Sequence, residues 1–98
     1  MESTLPAPTI TQKEEVSHLS FPSGEVLINS EDITSRITSL HYASKLGNRD
    51  HYKVKIIFQD DEAMRKVETT VWDVTDKMVV LKLGVGIPIH RVHVVKFL

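Results

Sequence analysis

The last third of the chain, residues 66–98, constrains the fold more than any other part of the sequence. Three apolar runs are separated there by the polar turn Thr75-Asp76-Lys77 and by the glycine-containing segment 84–86. Runs of this length, bounded by turn residues, are typical of β-strands. Residues 78–83 are apolar at both parities, which is typical of a strand covered on both sides. The pattern therefore predicts a small all-β fold.

The strand expected over residues 66–74 has to bend. Several of its residues point to one face, whereas the apolar Trp72 and Val74 point to the other, so a flat strand cannot bury both sets. A β-bulge near Val71 and Trp72 can bury both, and bent strands allow a small barrel to close. Trp72 is expected to anchor the interior, because the chain has no second tryptophan. Pro88 lacks an N–H group and is expected at a free sheet edge.

A β-hairpin is expected upstream, over residues 40–58. Apolar residues alternate along both halves of this segment. The register that sets Leu46 opposite Tyr52, and Leu40 opposite Phe58, puts both apolar sets, Tyr42 included, on the inner face. The turn then falls on residues 48–50.

The segment before this hairpin admits two interpretations. Ser30 followed by two acidic residues favours a helix start, because serine caps a helix and acids stabilise its N-terminus. Thr34 and Thr38 favour an extended segment instead. We therefore expect either one short helical turn near residues 30–37 or another strand.

Composition divides the chain into two parts. Residues 1–22 are rich in Ser, Thr, Pro and Glu without apolar periodicity, which predicts a disordered acidic leader. Residues 23–98 are expected to form one small β-barrel domain. Residues 1–35 carry one lysine against six acidic residues, whereas residues 36–98 carry eleven Lys or Arg against seven acidic residues. The mildly basic domain suits an anionic partner.

The residue types that the sequence lacks indicate which compartment the protein is expected in. There is no cysteine, so no disulfide or thiolate metal site is expected, and a reducing compartment is favoured. No apolar run approaches the roughly 20 residues that cross a bilayer. We expect a soluble cytoplasmic protein without a membrane partner.

The order of strands and turns over residues 54–95 resembles the SH3-like and Sm-like small β-barrel domains. An apolar strand, a polar loop, a long bent strand and two turns lead to a final strand that opens with Ile-Pro-x-x-Arg-Val. The resemblance implies a strongly bent barrel of five to six strands that binds RNA or proteins. Residues 87–92 are also similar to a segment of the RNA cyclic group end recognition domain. That similarity implies that His90 and Arg91 lie near an RNA phosphate.

The expected hairpin register places a row of basic residues on the outward face and two more at the tip. The candidate binding residues are His41, Lys45, Lys53 and Lys55 on that face, with Arg49 and His51 at the tip. Cationic side chains in such a row can contact phosphates, and the binding would then depend on salt. The alternative is a solvated edge strand, because lysines commonly protect edges from aggregation. No exposed aromatic residue is expected among them, which disfavours base stacking.

His90 and Arg91 form the alternative candidate site. Arg91 either binds an anion beside His90 or pairs with Asp73 or Glu68 on a neighbouring strand. His90 and His93 point to opposite faces of a regular strand, so they do not share a metal ion.

Nothing in the sequence indicates catalysis. Asp60-Asp61-Glu62 is interpreted as a polar turn rather than a cation site, and no nucleophile elbow or phosphate loop is present. We expect a non-enzymatic binding module of a bacterial type, without metal or cofactor, that contacts RNA, another anionic partner or a protein. The alternative is an assembly module that pairs with a protein or with itself through a sheet edge. A homo-oligomer is compatible with the sequence but is not indicated by it.

Overall fold

The computed structural model describes residues 7–98 and shows a mixed α/β fold built from one long helix and two sheets. The long helix, α2, spans Ser30–Asp50. The other elements are β1 (Thr9–Ile10), α1 (Lys13–Val16), β2 (Val54–Gln59), β3 (Met64–Thr69), β4 (Val71–Val74), β5 (Met78–Leu81), β6 (Gly86–Pro88) and β7 (Val92–Phe97). Short 3-10 helices cover Lys82–Gly84 and Ile89–Arg91.

The expected all-β barrel is wrong. Helix α2 occupies the place of the first hairpin strand, and the two sheets do not close into a barrel. The helix begins where a cap is available, because the Asn29 side chain accepts the N–H group of Asp32 at 2.8 Å. No proline or glycine then interrupts the chain before Gly47. The helix is therefore much longer than the single turn expected near residues 30–37.

Helix α2 buries a face that contains small and polar residues. Its buried residues are Arg36, Leu40, Ala43 and Gly47, which recur every three or four positions. Because only some of them are strongly apolar, the helical periodicity of apolar residues is weak in the sequence. The alternation of apolar and polar residues over 40–46 is instead typical of a strand. Within residues 7–98, neither α2 nor any other helix has the length and apolar character needed to cross a membrane.

The end of α2 replaces the expected hairpin turn. Residues 48–50 form the last helical turn, and His51 follows with a left-handed φ of 56°. The His51 N–H group donates to the Gly47 carbonyl at 3.0 Å and so terminates the helix. Phe58, expected opposite Leu40, instead pairs with Arg65 on β3 and with Val92 on β7.

The first sheet has the strand order β1-β3-β2-β7 and the second β4-β5-β6, with β1 parallel to β3 and all other pairs antiparallel. Only Thr70 separates β3 from β4, so one bent segment serves both sheets. The register shifts between Val71 and Asp73, which confirms the predicted bulge. Pro88 lies on the edge strand β6, as predicted. The Thr75 N–H group donates to the Met78 carbonyl at 2.9 Å and closes the predicted turn.

The core lies between the sheets and α2. Its largest fully buried side chains are Phe58, Leu40, Ile56, Leu81, Ile87, Val16, Val54, Val67, Val71, Val79 and Val92. The expectation that Trp72 anchors this core is wrong, because Trp72 is the extra residue of the bulge and is 37% exposed.

Helix α2 approaches β4 closely at Gly47. A Cβ atom at this position would lie 2.9 Å from Thr70 Cγ2 and would overlap the carbonyl oxygen of Val71. Asn48 Nδ2 and Ser44 Oγ both donate to the Trp72 carbonyl, at 2.8 and 3.3 Å. The absence of a side chain at Gly47 thus allows α2 to approach β4 closely. The hydrogen bonds from Ser44 and Asn48 stabilise this contact.

Residues 7–22 pack against the first sheet, although their composition favours a disordered leader. Ile10 pairs with Lys66 on β3, and Val16 is fully buried. The Phe21 and Phe58 rings lie with their centroids 6.1 Å apart. A few apolar side chains spaced along a polar segment therefore suffice to hold it on the core. Residues 1–6 of the expected leader lie outside the described residues, and the boundary at residue 22 stays a prediction.

A charged clasp joins the irregular segment 22–27 to α2 and β7. Arg36 Nη1 and Nη2 each donate to the Glu25 carboxylate at 2.7 Å, and Nη1 also donates to the Val92 carbonyl at 3.1 Å. Arg36 is buried. Its hydrogen bonds lower the pKa of Glu25 to about 2. One guanidinium thus ties together three segments that are distant in sequence.

Candidate nucleic-acid interface

Three of the predicted basic residues form an exposed row along α2. His41, Lys45 and Arg49 are spaced four residues apart, so they share one face of the helix, opposite its buried face. Their expected placement on the face and at the tip of a hairpin is wrong, but the helical period brings them together nonetheless. We call this row the basic crest. Arg49 Nε lies 3.0 Å from the Asp50 carboxylate, on an exposed part of the surface.

A second set of cations lies on β2 and β7. Lys53 and Lys55 lie before and within β2, and Lys55 is directly opposite Lys96 of β7. Opposite residues of an antiparallel pair share a face with their Cβ atoms about 5 Å apart, and like charges so placed destabilise the sheet. Glu68 of β3 lies opposite Lys55 on its other side. We call Lys53, Lys55 and Lys96 the lysine group.

Most of these cations form no ion pair within residues 7–98. Lys45 and the whole lysine group form none, and Lys55 forms none even with Glu68, which lies opposite it. An anion that bound between Lys55 and Lys96 would relieve their mutual repulsion. Lys96 was missed from the sequence, because its position depends on which strand pairs with β2.

An exposed pair of aromatic rings lies where α2 meets the edge strand β7. Tyr42 on α2 contacts Phe97 at the end of β7, with ring centroids 5.4 Å apart and planes tilted by 54°. Phe97 lies opposite the buried Val54 and shares the core-side face of the sheet, whereas Lys55 and Lys96, one position along, point to the other face. The Tyr52 hydroxyl donates to the Leu98 carbonyl near this junction. The rings therefore adjoin the basic crest, and the lysine group lies on the other face of the first sheet, around its β7 edge.

The expectation of no exposed aromatic residue near the basic residues is wrong. Tyr42 is 55% exposed and Phe97 39% exposed, although Tyr42 was expected to face inward. Trp72 lies on the other flank of α2, where its ring contacts His51 with centroids 6.0 Å apart and planes at 64°. His51 is itself exposed. Exposed rings thus border the basic crest on both flanks.

The alternative candidate, His90 with Arg91, has a different role in the structure. Arg91 is buried, and its three nitrogens donate to the carbonyls of Gln59 at 3.0 Å, Gly24 at 2.8 Å and Asp60 at 3.4 Å. Neither of its expected acidic partners pairs with it. His90 Nε2 lies 3.0 Å from the Pro22 carbonyl. Both residues hold the irregular segment 22–27 in place. Five residues of extended chain, roughly 16 Å, separate Arg91 from Lys96, so Arg91 is not part of the lysine group.

The acidic loop brings the carboxylates of Asp60, Asp61 and Glu62 within 4.8 Å of one another. One Asp60 oxygen accepts the N–H groups of Glu62 and Ala63 at 3.1 and 2.8 Å, and the other lies 2.9 Å from Arg65 Nε. Burial raises the pKa of Asp60, but these N–H groups and Arg65 lower it by more, so the net pKa lies below its ordinary value. Both oxygens of Asp60 therefore serve the loop itself, in keeping with a polar turn.

The chain matches no protein-family model, and no curated protein or solved structure is detectably similar to it. The likeness of residues 54–95 to SH3-like and Sm-like domains, and of residues 87–92 to the RNA cyclic group end recognition domain, stays a prediction from pattern. The surface around α2 has to be interpreted from its own side chains.

Proposed function

We propose that this protein is a non-enzymatic binding module that holds RNA along the basic crest and around the β7 edge of the first sheet to the lysine group. The observation that carries the proposal is that four lysines, Lys45, Lys53, Lys55 and Lys96, form no ion pair within residues 7–98 and lie on the two sides of an exposed pair of rings at this edge. We assign no reaction to this surface, because its donors are cations suited to holding anions in place.

RNA fits this surface because a polymer of phosphates can engage cations that lie on different elements. Each phosphate that a lysine neutralises releases condensed counterions, so the affinity falls with salt. Four lysine contacts predict a slope of roughly −3 for log affinity against log salt concentration with a single strand. A small monovalent anion would engage only one or two of these cations and would bind far more weakly.

Fluorescence anisotropy with a labelled RNA oligonucleotide tests the proposal. The variant Lys53→Glu plus Lys55→Glu turns two phosphate contacts into repulsions, and we expect it to lower the affinity about tenfold or more at low salt. The matched control is Lys13→Glu plus Lys77→Glu, which changes the net charge equally but lies on α1 and in the β4–β5 turn.

The proposal fails on either of two results. One is the absence of RNA binding by the unmodified protein at low salt. The other is an equal loss of affinity in both double variants, because net charge alone would then account for the binding.

One observation favours the alternative, a module that assembles through a sheet edge. Strand β7 is an outer strand of the first sheet, and Val94 on it is 43% exposed. Arg36 already occupies the Val92 carbonyl, which reduces the backbone groups available for pairing. Analytical ultracentrifugation over a range of concentrations tests self-assembly through this edge, and a monomer at the highest concentration would exclude it.

A further inference from the structure

The aromatic residues of this chain are unevenly placed. The sequence has three phenylalanines, two tyrosines and one tryptophan. Phe58 is fully buried, whereas Tyr42, Phe97 and Trp72 are exposed. All three exposed rings border α2, two of them beside β7 and one on β4. An aromatic ring left in water forgoes a large apolar contact area, so three rings around one helix mark a binding surface.

The geometry of the rings leaves them available to a ligand. Tyr42 and Phe97 are tilted by 54° rather than stacked, so neither ring covers the whole face of the other. Trp72 meets His51 edge to face. The phenol oxygen of Tyr42 forms no hydrogen bond within residues 7–98, so its contact with Phe97 does not tie up the polar end of the ring.

We propose that the nucleic acid held on this surface is single-stranded, with bases that stack on the Tyr42–Phe97 pair and on Trp72. This inference rests on the proposed function. Phosphates meet the basic crest while the bases turn toward the rings on its two flanks, and the strand continues around the β7 edge to the lysine group. Base stacking on aromatic side chains is sequence-tolerant, because every base has a π-face.

A duplex fits the same surface poorly. The bases of a duplex are stacked on each other, so their faces are not available to exposed rings. The major groove of an A-form RNA helix is too deep and narrow for side chains to enter. The major groove of duplex DNA does admit an α-helix, but it would contact the crest of α2 and leave the flanking rings unused.

The test compares three labelled probes of equal length, roughly ten nucleotides, which lies within the site sizes of small single-strand binding domains. The probes are single-stranded RNA, duplex RNA and duplex DNA, each titrated against the full chain. We expect the single strand to bind at least tenfold more tightly than either duplex. Trp72 is the only tryptophan, so quenching of its fluorescence by an unlabelled strand reports directly on stacking at that flank.

Substitutions at Tyr42 separate stacking from charge. Tyr42→Leu keeps an apolar side chain but removes the ring, and we expect a loss of affinity of about 5- to 100-fold with an unchanged salt slope. Tyr42→Phe keeps the ring and should bind within about twofold of the unmodified protein. Circular dichroism of both variants verifies that they are folded.

The possible outcomes distinguish this inference from the function on which it rests. Equal or tighter binding of a duplex, or an affinity unaffected by Tyr42→Leu, overturns the single-strand assignment and leaves salt-dependent RNA binding in place. Binding of none of the three probes at low salt overturns both.

Discussion

Replacing Gly47 with alanine tests the contact between α2 and β4. Alanine is favoured over glycine inside a helix by about 1 kcal/mol, so helix propensity alone predicts that Gly47→Ala stabilises the protein. The structure predicts the opposite, because the added methyl group would overlap the Val71 carbonyl and lie 2.9 Å from Thr70 Cγ2. Overpacking costs about 1–3 kcal/mol, and the upper end applies where a backbone atom cannot move aside.

The expected net effect of Gly47→Ala is a loss of about 2 kcal/mol in the free energy of unfolding. For a domain of this size, that corresponds to a fall in Tm of about 8–16 °C. Thermal and urea unfolding followed by circular dichroism measure it.

Thr38→Ala, on the exposed side of α2, controls for helix propensity and should stabilise by a few tenths of a kcal/mol. Gly24→Ala, whose new methyl would lie 3.9 Å from its nearest neighbour, should change stability by less than about 0.5 kcal/mol. An increase in stability in Gly47→Ala would refute the close approach of α2 to β4.

Three further predictions concern stability. The pKa of Glu25 is held at about 2 by its hydrogen bonds with Arg36, so its contribution is present above the ordinary pKa near 4.5 and is lost as the pH falls from there toward 2. After allowance for the partial exposure of Glu25, the loss should be about 1–2 kcal/mol, and urea unfolding of Glu25→Gln should show a correspondingly smaller decrease over the same pH range. Asn29→Ala removes the cap that accepts the Asp32 N–H group and should cost about 1 kcal/mol by the same assay; an unchanged midpoint would contradict the cap. Leu83 has a φ of 72° and is 70% exposed, so Leu83→Gly should raise the unfolding free energy by about 0.5 kcal/mol, and a lower Tm would show that the Leu83 side chain contributes contacts that outweigh its backbone strain.

The error over α2 has a definite physical origin. A helix is recognised in a sequence by apolar residues every three to four positions, but two of the buried positions of α2 are Arg36 and Gly47. Arg36 is buried because Glu25 and the Val92 carbonyl accept hydrogen bonds from its two terminal nitrogens. Gly47 is buried because β4 lies against it. Both reasons are tertiary, so no local pattern could have indicated them.

Features set by local chemistry were predicted correctly. The turn at residues 75–77 depends on hydrogen bonds between near neighbours, and the position of Pro88 depends on its missing N–H group. The bulge near Val71 followed from two apolar sets of opposite parity on one strand. The expected burial of Trp72 was wrong, because the parity pattern does not indicate to which face the extra residue of a bulge points.

The candidate surface was predicted in part. The exposure of Lys45, Lys53 and Arg49 follows from their charge, whichever element carries them. The pairing of Lys55 with Lys96, and the contact of Tyr42 with Phe97, require β7 to lie between β2 and α2. This arrangement brings the middle of the chain next to its last residues. No local pattern in the sequence indicates such a contact.

The position of β7 also governs how this chain reaches its fold. Arg36 meets the Val92 carbonyl across 56 residues of sequence, and β7 forms one side of the first sheet only after α2, β2 and β3 have been synthesised. Contacts of such long separation close large loops and slow the search for the native state. On that side of β2, the preceding elements have no strand to pair with until β7 docks. We therefore expect docking of β7 to be a late step of folding that completes the core and its charged clasp together.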